Sequence, residues 1–110
     1  MSENKPVYAI ASYQIEDFDT FFAGYAQPVH GAMSDVGAEI LSASPEVDVR
    51  EGAHPNNWSI LLKFPSADVF DAFYKSPAYQ ALFKVRENVT QAGKSIFYVL
   101  PTFTPPAPAE

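Results

Sequence analysis

An arginine on an apolar helix face is the residue that points most clearly to chemistry. Arg86 follows Phe83 by three positions and Leu82 by four, which places the three side chains on one face of a helix. A guanidinium that faces a protein core is unfavourable unless it is paired. We therefore expect Arg86 to meet an anionic ligand, a carboxylate or an enolate, in a cavity between helix and sheet. The alternatives are an ion pair with Glu51 or another acid, and a stem that reaches out to water.

Aromatic residues with polar tips are the next candidates, because they could line a pocket for a flat or aromatic compound. Tyr79 precedes Arg86 by seven positions on the same helix face, so the two are predicted to hold negative charge that develops on a ligand. Tyr25 also falls on an inward-facing stripe, where its hydroxyl needs a partner. For most of these residues, ordinary packing in the core or between subunits is the alternative. The predicted substrate-binding residues are Tyr13, Tyr25, Trp58, Tyr79 and Arg86, and Tyr74 and Tyr98 are of the same kind.

The two histidines are candidates for proton transfer. His30 lies at the border of the apolar stripe of the first helix, from which it could reach a cavity mouth and act as general acid or base near neutral pH. A surface histidine is the alternative. His54 follows Glu51 and Gly52 in a loop, but no metal-ligand motif surrounds it, so no metal site is expected. The predicted catalytic residues are His30, Tyr79 and Arg86.

Composition and charge exclude several classes of function. The chain has 110 residues, a formal net charge of -6 and only seven Lys or Arg residues, so it lacks the clustered cations of a nucleic-acid-binding protein. The absence of cysteine excludes a disulfide scaffold, a thiolate nucleophile and a cysteine-ligated metal. The five glycines form neither a phosphate-binding loop nor a dinucleotide motif, so no cofactor is expected.

The sequence carries no sign of a membrane or of secretion. Its first residues lack a basic region followed by an apolar one, and no run approaches the ~20 apolar residues of a membrane span. We expect a cytoplasmic protein that has no membrane partner.

Four strands and two helical units must position these side chains. Asp17 and Ser66 are suited to cap helices, and Ser76 followed by proline marks a second helix start. Pro28 should kink the first helix, and Gly37 should end it. Strands are predicted over residues 7–15, 38–44 with a continuation over 46–51, 58–64 and 95–100.

The order of these elements predicts a fold class. Strand, helix, strand, strand, helix, strand is the ferredoxin-like arrangement, an α+β fold in which both helical units cover one face of an antiparallel sheet. The last two strands barely alternate between apolar and polar residues, so both sheet faces must avoid water. We therefore expect a homodimer in which a second copy covers the other face, sheet against sheet. A monomer whose tail and loops hide that face is the alternative.

The chain divides into one domain over residues 1–100 and a tail over residues 101–110. The tail holds four of the ten prolines and is predicted to join neither a strand ladder nor a helix. It is either disordered or anchored through Phe103 on a neighbouring subunit.

Several segments, taken in this order and spacing, are similar to a known family. They are Tyr8-x-Ile10, Ile15-x-Asp17, Gly37, Glu51-Gly52, Phe64-Pro65-Ser66, Tyr74-x-Ser76-Pro77-x-Tyr79-Gln80 and Arg86. Over about residues 7–100 the chain resembles the domain-of-unknown-function family numbered 1330, in the dimeric α+β-barrel superfamily. His30, His54 and the proline-rich tail depart from the family pattern.

The resemblance implies a ferredoxin-like fold and a homodimer whose two sheets enclose a barrel. The wider superfamily includes cofactor-free monooxygenases, lactone isomerases, polyketide cyclases, haem enzymes and small-ligand sensors, whereas this family has no settled activity. We expect a small-molecule-binding homodimer with cofactor-independent activity, of the isomerase, cyclase or monooxygenase kind, on a small carbonyl, lactone or phenolic compound. A non-catalytic module that binds or senses a small ligand is the alternative.

Overall fold

The structure, a computed structural model, describes residues 5–54 and 56–105. Its four strands are β1 (Val7–Tyr13), β2 (Glu39–Ser44), β3 (Trp58–Phe64) and β4 (Ile96–Pro101). The helical elements are α1 (Phe18–Phe21), a π-helical turn (Phe22–Ala26), α2 (Gln27–Asp35), α3 (Ala67–Lys75), α4 (Pro77–Val89) and a 3-10 turn (Ala92–Lys94). The predicted order of strands and helical units is confirmed.

The four strands form one antiparallel sheet in the order β2-β3-β1-β4. The register pairs Ala9 of β1 with Leu62 of β3 and with Val99 of β4. Side chains of paired residues project from the same face of a sheet, so these three lie on one side. Their neighbours Ile10, Leu61 and Tyr98 are likewise paired and lie on the other side. The fold is the predicted ferredoxin-like α+β fold.

The first helical unit begins at a cap and changes its winding before the proline. Asp17 accepts a hydrogen bond from the Thr20 amide at 3.0 Å and one from the Thr20 hydroxyl at 2.7 Å. The π-helical turn over Phe22–Ala26 leads directly into α2, whose second residue, Pro28, cannot donate a backbone hydrogen bond. Gly37 follows α2 with a φ of 83°, a left-handed conformation that favours glycine.

Two serines start the helices of the second unit. The Ser66 hydroxyl accepts from the Val69 amide at 3.1 Å, and the Ser76 hydroxyl accepts from the Tyr79 amide at 3.2 Å. Pro77 is the first residue of α4, where its fixed φ suits a helix start. Both caps confirm the prediction, and the second cap sets the rotation of the helix that carries Tyr79 and Arg86.

The hydrophobic core lies between the helical layer and one face of the sheet. Buried sheet residues such as Ala11 and Phe64 share one cluster with buried helix residues such as Phe21 and Met33. The opposite face carries large apolar side chains that remain exposed, with Ile96, Tyr98 and Leu100 of β4 each 44–47% accessible. The helical units thus cover a single face of the sheet.

The bounds of three strands differ from the prediction. The strand β1, predicted over residues 7–15, ends at Tyr13. Residues 46–51 form no strand; β2 ends at Ser44, which pairs with Ser59 near the start of β3. The last strand includes Pro101, which is paired with Val7 at the end of β1. The predicted tail therefore begins inside β4, and residues 106–110 lie outside the described part of the chain. Phe103 is 79% exposed.

The helices of the structure are short relative to a bilayer. Among residues 5–54 and 56–105, no helix is long and apolar enough to cross a membrane.

Candidate functional site

A cavity of about 190 Å³ lies between the helical layer and the covered face of the sheet. Its walls come from β1, β2, β3 and β4 on one side and from the π-helical turn, α2, α3 and α4 on the other. Ile40 and Ala43 of β2 line it and are exposed, so this end is where a ligand can enter. The lining is almost entirely apolar, and the lining residues that carry a polar group are Tyr13, Tyr25, Tyr79 and Trp58.

Small residues on the sheet leave the space that the aromatic residues surround. Ala11 is 1% exposed and lines the cavity beside Tyr13, two positions further along β1. Gly24, in the π-helical turn, allows this turn to approach α4, since a Cβ placed there would meet Val85 at 3.0 Å. The close approach between the π-helical turn and α4 joins residues far apart in the chain, so no local pattern in the sequence predicts it.

The tyrosine hydroxyls are held by partners inside the protein. The Tyr25 and Tyr79 hydroxyl oxygens are 2.9 Å apart, so one donates to the other. Arg86 donates through its Nη1 to the hydroxyl oxygen of Tyr13. Tyr25 comes from the π-helical turn, Tyr13 from β1, and Tyr79 and Arg86 from α4. Three distant segments thus bring these four residues together, and the sequence analysis had placed only Tyr79 and Arg86 next to each other.

Arg86 is a buried cation that contacts aromatic rings. Its side chain is 5% exposed, and its guanidinium carbon lies 4.5 Å from the ring centre of Tyr13 and 4.8 Å from that of Phe83. Within residues 5–54 and 56–105, Arg50 forms an ion pair with Asp48, and Arg86 forms no ion pair. Glu51 is exposed, so the predicted alternative of a pair with Glu51 is wrong. Contact with ring faces stabilises the charge in place of a carboxylate.

Burial sets the protonation states of this cluster. It raises the pKa of Tyr13, Tyr25 and Tyr79 well above the ordinary value, because a phenolate would be poorly solvated there. The charge of Arg86 opposes this effect without cancelling it. Burial also acts against the charge of Arg86, but the three tyrosines outweigh it and raise the pKa of the guanidinium. At neutral pH the cluster therefore holds three neutral phenols and one cation.

This arrangement can stabilise an oxygen atom and has no evident base. Neutral phenols donate hydrogen bonds to a carbonyl or an oxyanion, and a nearby cation strengthens such a bond. The residues that line the cavity include no His, Asp, Glu or Lys. A ligand bound here would meet an apolar enclosure with hydrogen-bond donors at one end.

The structure does not bring His30 to this cluster. The side chain is exposed on α2 and is absent from the cavity lining, whereas its neighbour Val29 is buried and lines it. Proton transfer by His30 stays a prediction that this geometry does not support.

His54 lies on the opposite face of the sheet, in a polar cluster at the ends of β1 and β3. Its Nε2 is 3.1 Å from the Ser59 hydroxyl and 3.4 Å from that of Ser12, and its Nδ1 is 3.2 Å from the Asn56 carbonyl oxygen. Asn56 donates to Ser12 at 2.9 Å. These bonds hold the loop before β3 against the sheet. The described residues contain no group of three or more His, Asp or Glu side chains that could hold a metal ion.

Asn57 is a structural residue that the sequence analysis missed. Its side-chain oxygen accepts from the Ile15 amide at 2.7 Å, and its amide nitrogen donates to the Ile15 carbonyl at 2.9 Å. This pair of bonds ties the chain after β1 to the start of β3, next to Tyr13 and Trp58. A lone asparagine in a loop gives no signal in the sequence for such a role.

Residues 6–98 match the sequence profile of a family described as a domain of unknown function, DUF1330. The chain belongs to this family. The resemblance expected from the segment pattern is thereby confirmed over almost the same range. A comparison with curated proteins finds no significant match.

Solved structures share the fold at low sequence identity. A protein of unknown function from Rhodopseudomonas palustris has a TM-score of 0.74 and 14% identity, covering 93% of this chain and 85% of that one. A dimeric ferredoxin-like protein of unknown function from Jannaschia sp. CCS1 has a TM-score of 0.70 and 13% identity, covering 86% and 97%. SnoaB, a cofactor-independent oxygenase from Streptomyces nogalater, has a TM-score of 0.62 and 11% identity, covering 94% and 96%. At these identities the comparisons establish the fold of this DUF1330 member and leave its activity open.

Proposed function

We propose that this protein binds a small, compact, largely apolar compound with one oxygen acceptor, a carbonyl or a phenol. The observation that carries the proposal is the apolar cavity of about 190 Å³ with three tyrosines among its lining residues. A cavity of this kind between packed layers is the usual form of a small-ligand site. The apolar walls bind the body of the compound, and the hydroxyls orient its oxygen.

The fluorescence of Trp58 provides a direct test of binding. Trp58 is the only tryptophan of the chain and lines the cavity, so a bound ligand changes its surroundings. We expect saturable changes in emission when benzaldehyde or phenol is added, with weaker binding of toluene, which lacks the oxygen. The absence of saturable binding by all three compounds would contradict the proposal.

A variant with a filled cavity separates this site from any other. Ala11→Phe places a ring in the cavity and should abolish the response while the far-ultraviolet circular dichroism stays native. Ala81→Phe, on the exposed side of α4, adds the same ring outside the cavity and serves as the control. If Ala11→Phe folds and still binds the compounds with full affinity, the site lies elsewhere.

Cofactor-independent catalysis in the same cavity is the second candidate function. It is supported by the donors of the tyrosine cluster and by the fold shared with SnoaB, a cofactor-independent oxygenase. Because the lining residues in the described part of the chain include no His, Asp, Glu or Lys, the predicted role of His30 would require proton transfer from the surface. His30→Ala should abolish turnover of a true substrate if the histidine takes part, and full activity of that variant would rule it out.

The proposed partner is a second copy of the chain, which covers the exposed sheet face. Ile96, Tyr98 and Leu100 of β4 form an exposed apolar row, next to Ile10 and Tyr8 of β1 in the register. An apolar face of this kind is unusual on a soluble monomer and is typical of an interface. The similar protein from Jannaschia, described as dimeric, supports a homodimer.

A further inference from the structure

We propose that the cavity selects the anionic form of its ligand, a phenolate or an enolate, and that Tyr13 is the group that donates to the anion. Arg86 is then a positioning residue that acts through Tyr13 and does not touch the ligand. This inference rests on the proposed function, since it concerns the oxygen of a compound bound in the same cavity.

Arg86 is separated from the cavity by the tyrosines that line it. Tyr13, Tyr25 and Tyr79 line the cavity and Arg86 does not. The Nη1 of Arg86 donates to the Tyr13 oxygen, and the guanidinium carbon is 4.5 Å from the centre of that ring and 5.6 Å from that of Tyr25. The tyrosine rings thus stand between the cation and the ligand.

The Tyr13 hydroxyl has a proton that it can donate. A phenol has one proton to donate and can accept from other groups. Because Arg86 supplies a donor to the Tyr13 oxygen, the Tyr13 proton remains available for an acceptor in the cavity. Tyr25 and Tyr79 are bonded to each other at 2.9 Å, and Tyr25 also interacts with the Tyr13 hydroxyl, so Tyr13 has the proton that is left for a ligand. A guanidinium that polarises a phenol also makes the phenol a stronger donor.

The charge of Arg86 has no carboxylate partner to balance it among the described residues. Arg86 is buried, and no carboxylate within the described part of the chain pairs with it. An anion in the adjacent cavity would bring a negative charge close to this cation in surroundings of low polarity, where the attraction is strong. Deprotonation of Tyr13, Tyr25 or Tyr79 to supply that charge is disfavoured, because burial raises their pKa values. The ligand is therefore the group that ionises most readily.

The experiment uses para-nitrophenol, whose phenol and phenolate forms differ in colour. Its absorbance is followed across neutral pH with and without saturating protein. We expect the protein to bind the phenolate at least about tenfold more tightly than the phenol, because a nearby cation favours the anionic form of an ionisable group. The pKa of the bound indicator then lies below that of the free compound. An unchanged or raised pKa of the bound indicator would overturn the inference.

Two variants separate the roles of the two residues. Tyr13→Phe should lose the part of the preference for the phenolate that the phenol donor supplies, although the charge of Arg86 is retained. If Arg86 contacted the ligand directly, Tyr13→Phe would keep the full preference. Arg86→Met should still bind para-nitrophenol but should lose the preference, and Arg86→Lys should restore part of it because the charge returns. Equal preference in all of these proteins would contradict the role of the pair.

The controls distinguish this inference from the proposed function. Tyr74→Phe removes a hydroxyl from a half-buried tyrosine outside the cavity lining and should behave as the unmodified protein. Circular dichroism identifies any variant that fails to fold. If Arg86→Met fails to fold, Tyr13→Phe still tests the inference, because it is the smallest of these changes. If para-nitrophenol and toluene both fail to bind the unmodified protein, the proposed function fails as well. If they bind without a preference for the anion, only this inference fails.

Discussion

At the scale of single residues, the buried charge of Arg86 explains the composition of its surroundings. Four aromatic rings, those of Tyr13, Tyr25, Phe83 and Phe97, lie with centres within 6 Å of the guanidinium carbon. Ring faces and one phenol oxygen replace the carboxylate that a buried arginine usually has. The protein thereby keeps a positive charge that is not neutralised by a neighbouring acid of the described chain.

The three buried tyrosines predict a dependence of stability on alkaline pH. Their pKa values are raised in the folded protein, whereas they return to about 10 on unfolding. Their contribution is therefore complete below about pH 10 and is lost as the pH rises towards their folded values, because the unfolded chain releases these protons first. Denaturant unfolding at increasing pH should show the free energy of unfolding falling above about pH 10. Tyr79→Phe should reduce that slope, and a slope unchanged in this variant would contradict the assignment.

The side chain of Asn57 predicts a local loss of stability. Asn57→Ala removes the bonds to the Ile15 amide and carbonyl and leaves two backbone groups without partners. We expect the free energy of unfolding to fall by about 1–3 kcal/mol, measured by denaturant titration. Asn88→Ala, at an exposed position of α4, is the control and should change little. Equal stability of the two variants would show that the bonds at Ile15 contribute nothing.

The proximity of two site residues was predictable from the sequence only where both lie on the same helix. Tyr79 and Arg86 share a face of α4, and their spacing predicted this. The contact of Arg86 with Tyr13 joins residues 73 positions apart, so it depends on how α4 packs on β1 and leaves no local pattern. His30 was placed at the border of a stripe by assuming regular α-helix. Val29 and Met33 of that stripe are buried as predicted, and His30 beside Val29 is exposed, which agrees with the alternative of a surface histidine.

At the scale of elements, the close contact between the π-helical turn and α4 positions the cavity walls. A Cβ at Gly24 would lie 3.0 Å from Val85 Cγ1, which is closer than ordinary contact. Gly24→Ala should therefore separate the two elements and lower the free energy of unfolding by about 1–3 kcal/mol.

Gly31 provides a matched control for this prediction, because it is also helical but a Cβ there meets nothing within 4 Å. Gly31→Ala should raise the free energy of unfolding by about 0.5–1 kcal/mol, since alanine has less freedom to lose on folding. Thermal or denaturant unfolding measures both. If Gly24→Ala were as stable as Gly31→Ala, the contact would not limit the helix approach.

The sequence predicted the elements well where caps and periodicity agreed. Asp17, Ser66 and Ser76 start helices as predicted, and Gly37 follows the end of α2. The expected continuation of β2 over residues 46–51 was wrong. Val47 and Val49 alternate with polar residues, but both are exposed. The partner strand β3 begins at Trp58, so beyond Ser44 no strand lies alongside to pair with them.

At the scale of the whole molecule, the two faces of the sheet have different roles. One face forms the core and the cavity, and the other presents Ile96, Tyr98 and Leu100. The lack of alternation in β3 and β4 predicted this two-sided apolar sheet. A second copy is the proposed cover for this second face.

The apolar row on β4 predicts that the protein is a dimer in solution. Sedimentation should give about twice the 12.1 kDa of one chain. Tyr98→Asp places a charge in the row and should shift the equilibrium to the monomer, because burial of an unpaired charge is costly. Gln27→Asp, on the exposed surface of α2, adds the same charge and should leave the dimer intact. A folded monomer of the unmodified chain at micromolar concentration would contradict the proposed dimer.

The most direct test of the ligand site is the position of a bound phenol, determined by nuclear Overhauser effects between its protons and protein methyl groups. The cavity predicts contacts to the Ala11 methyl and to the Met33 methyl, which come from the sheet and from α2 and both line it. Contacts to Ile10 and Leu61 instead would place the ligand on the opposite face of the sheet and would contradict the account.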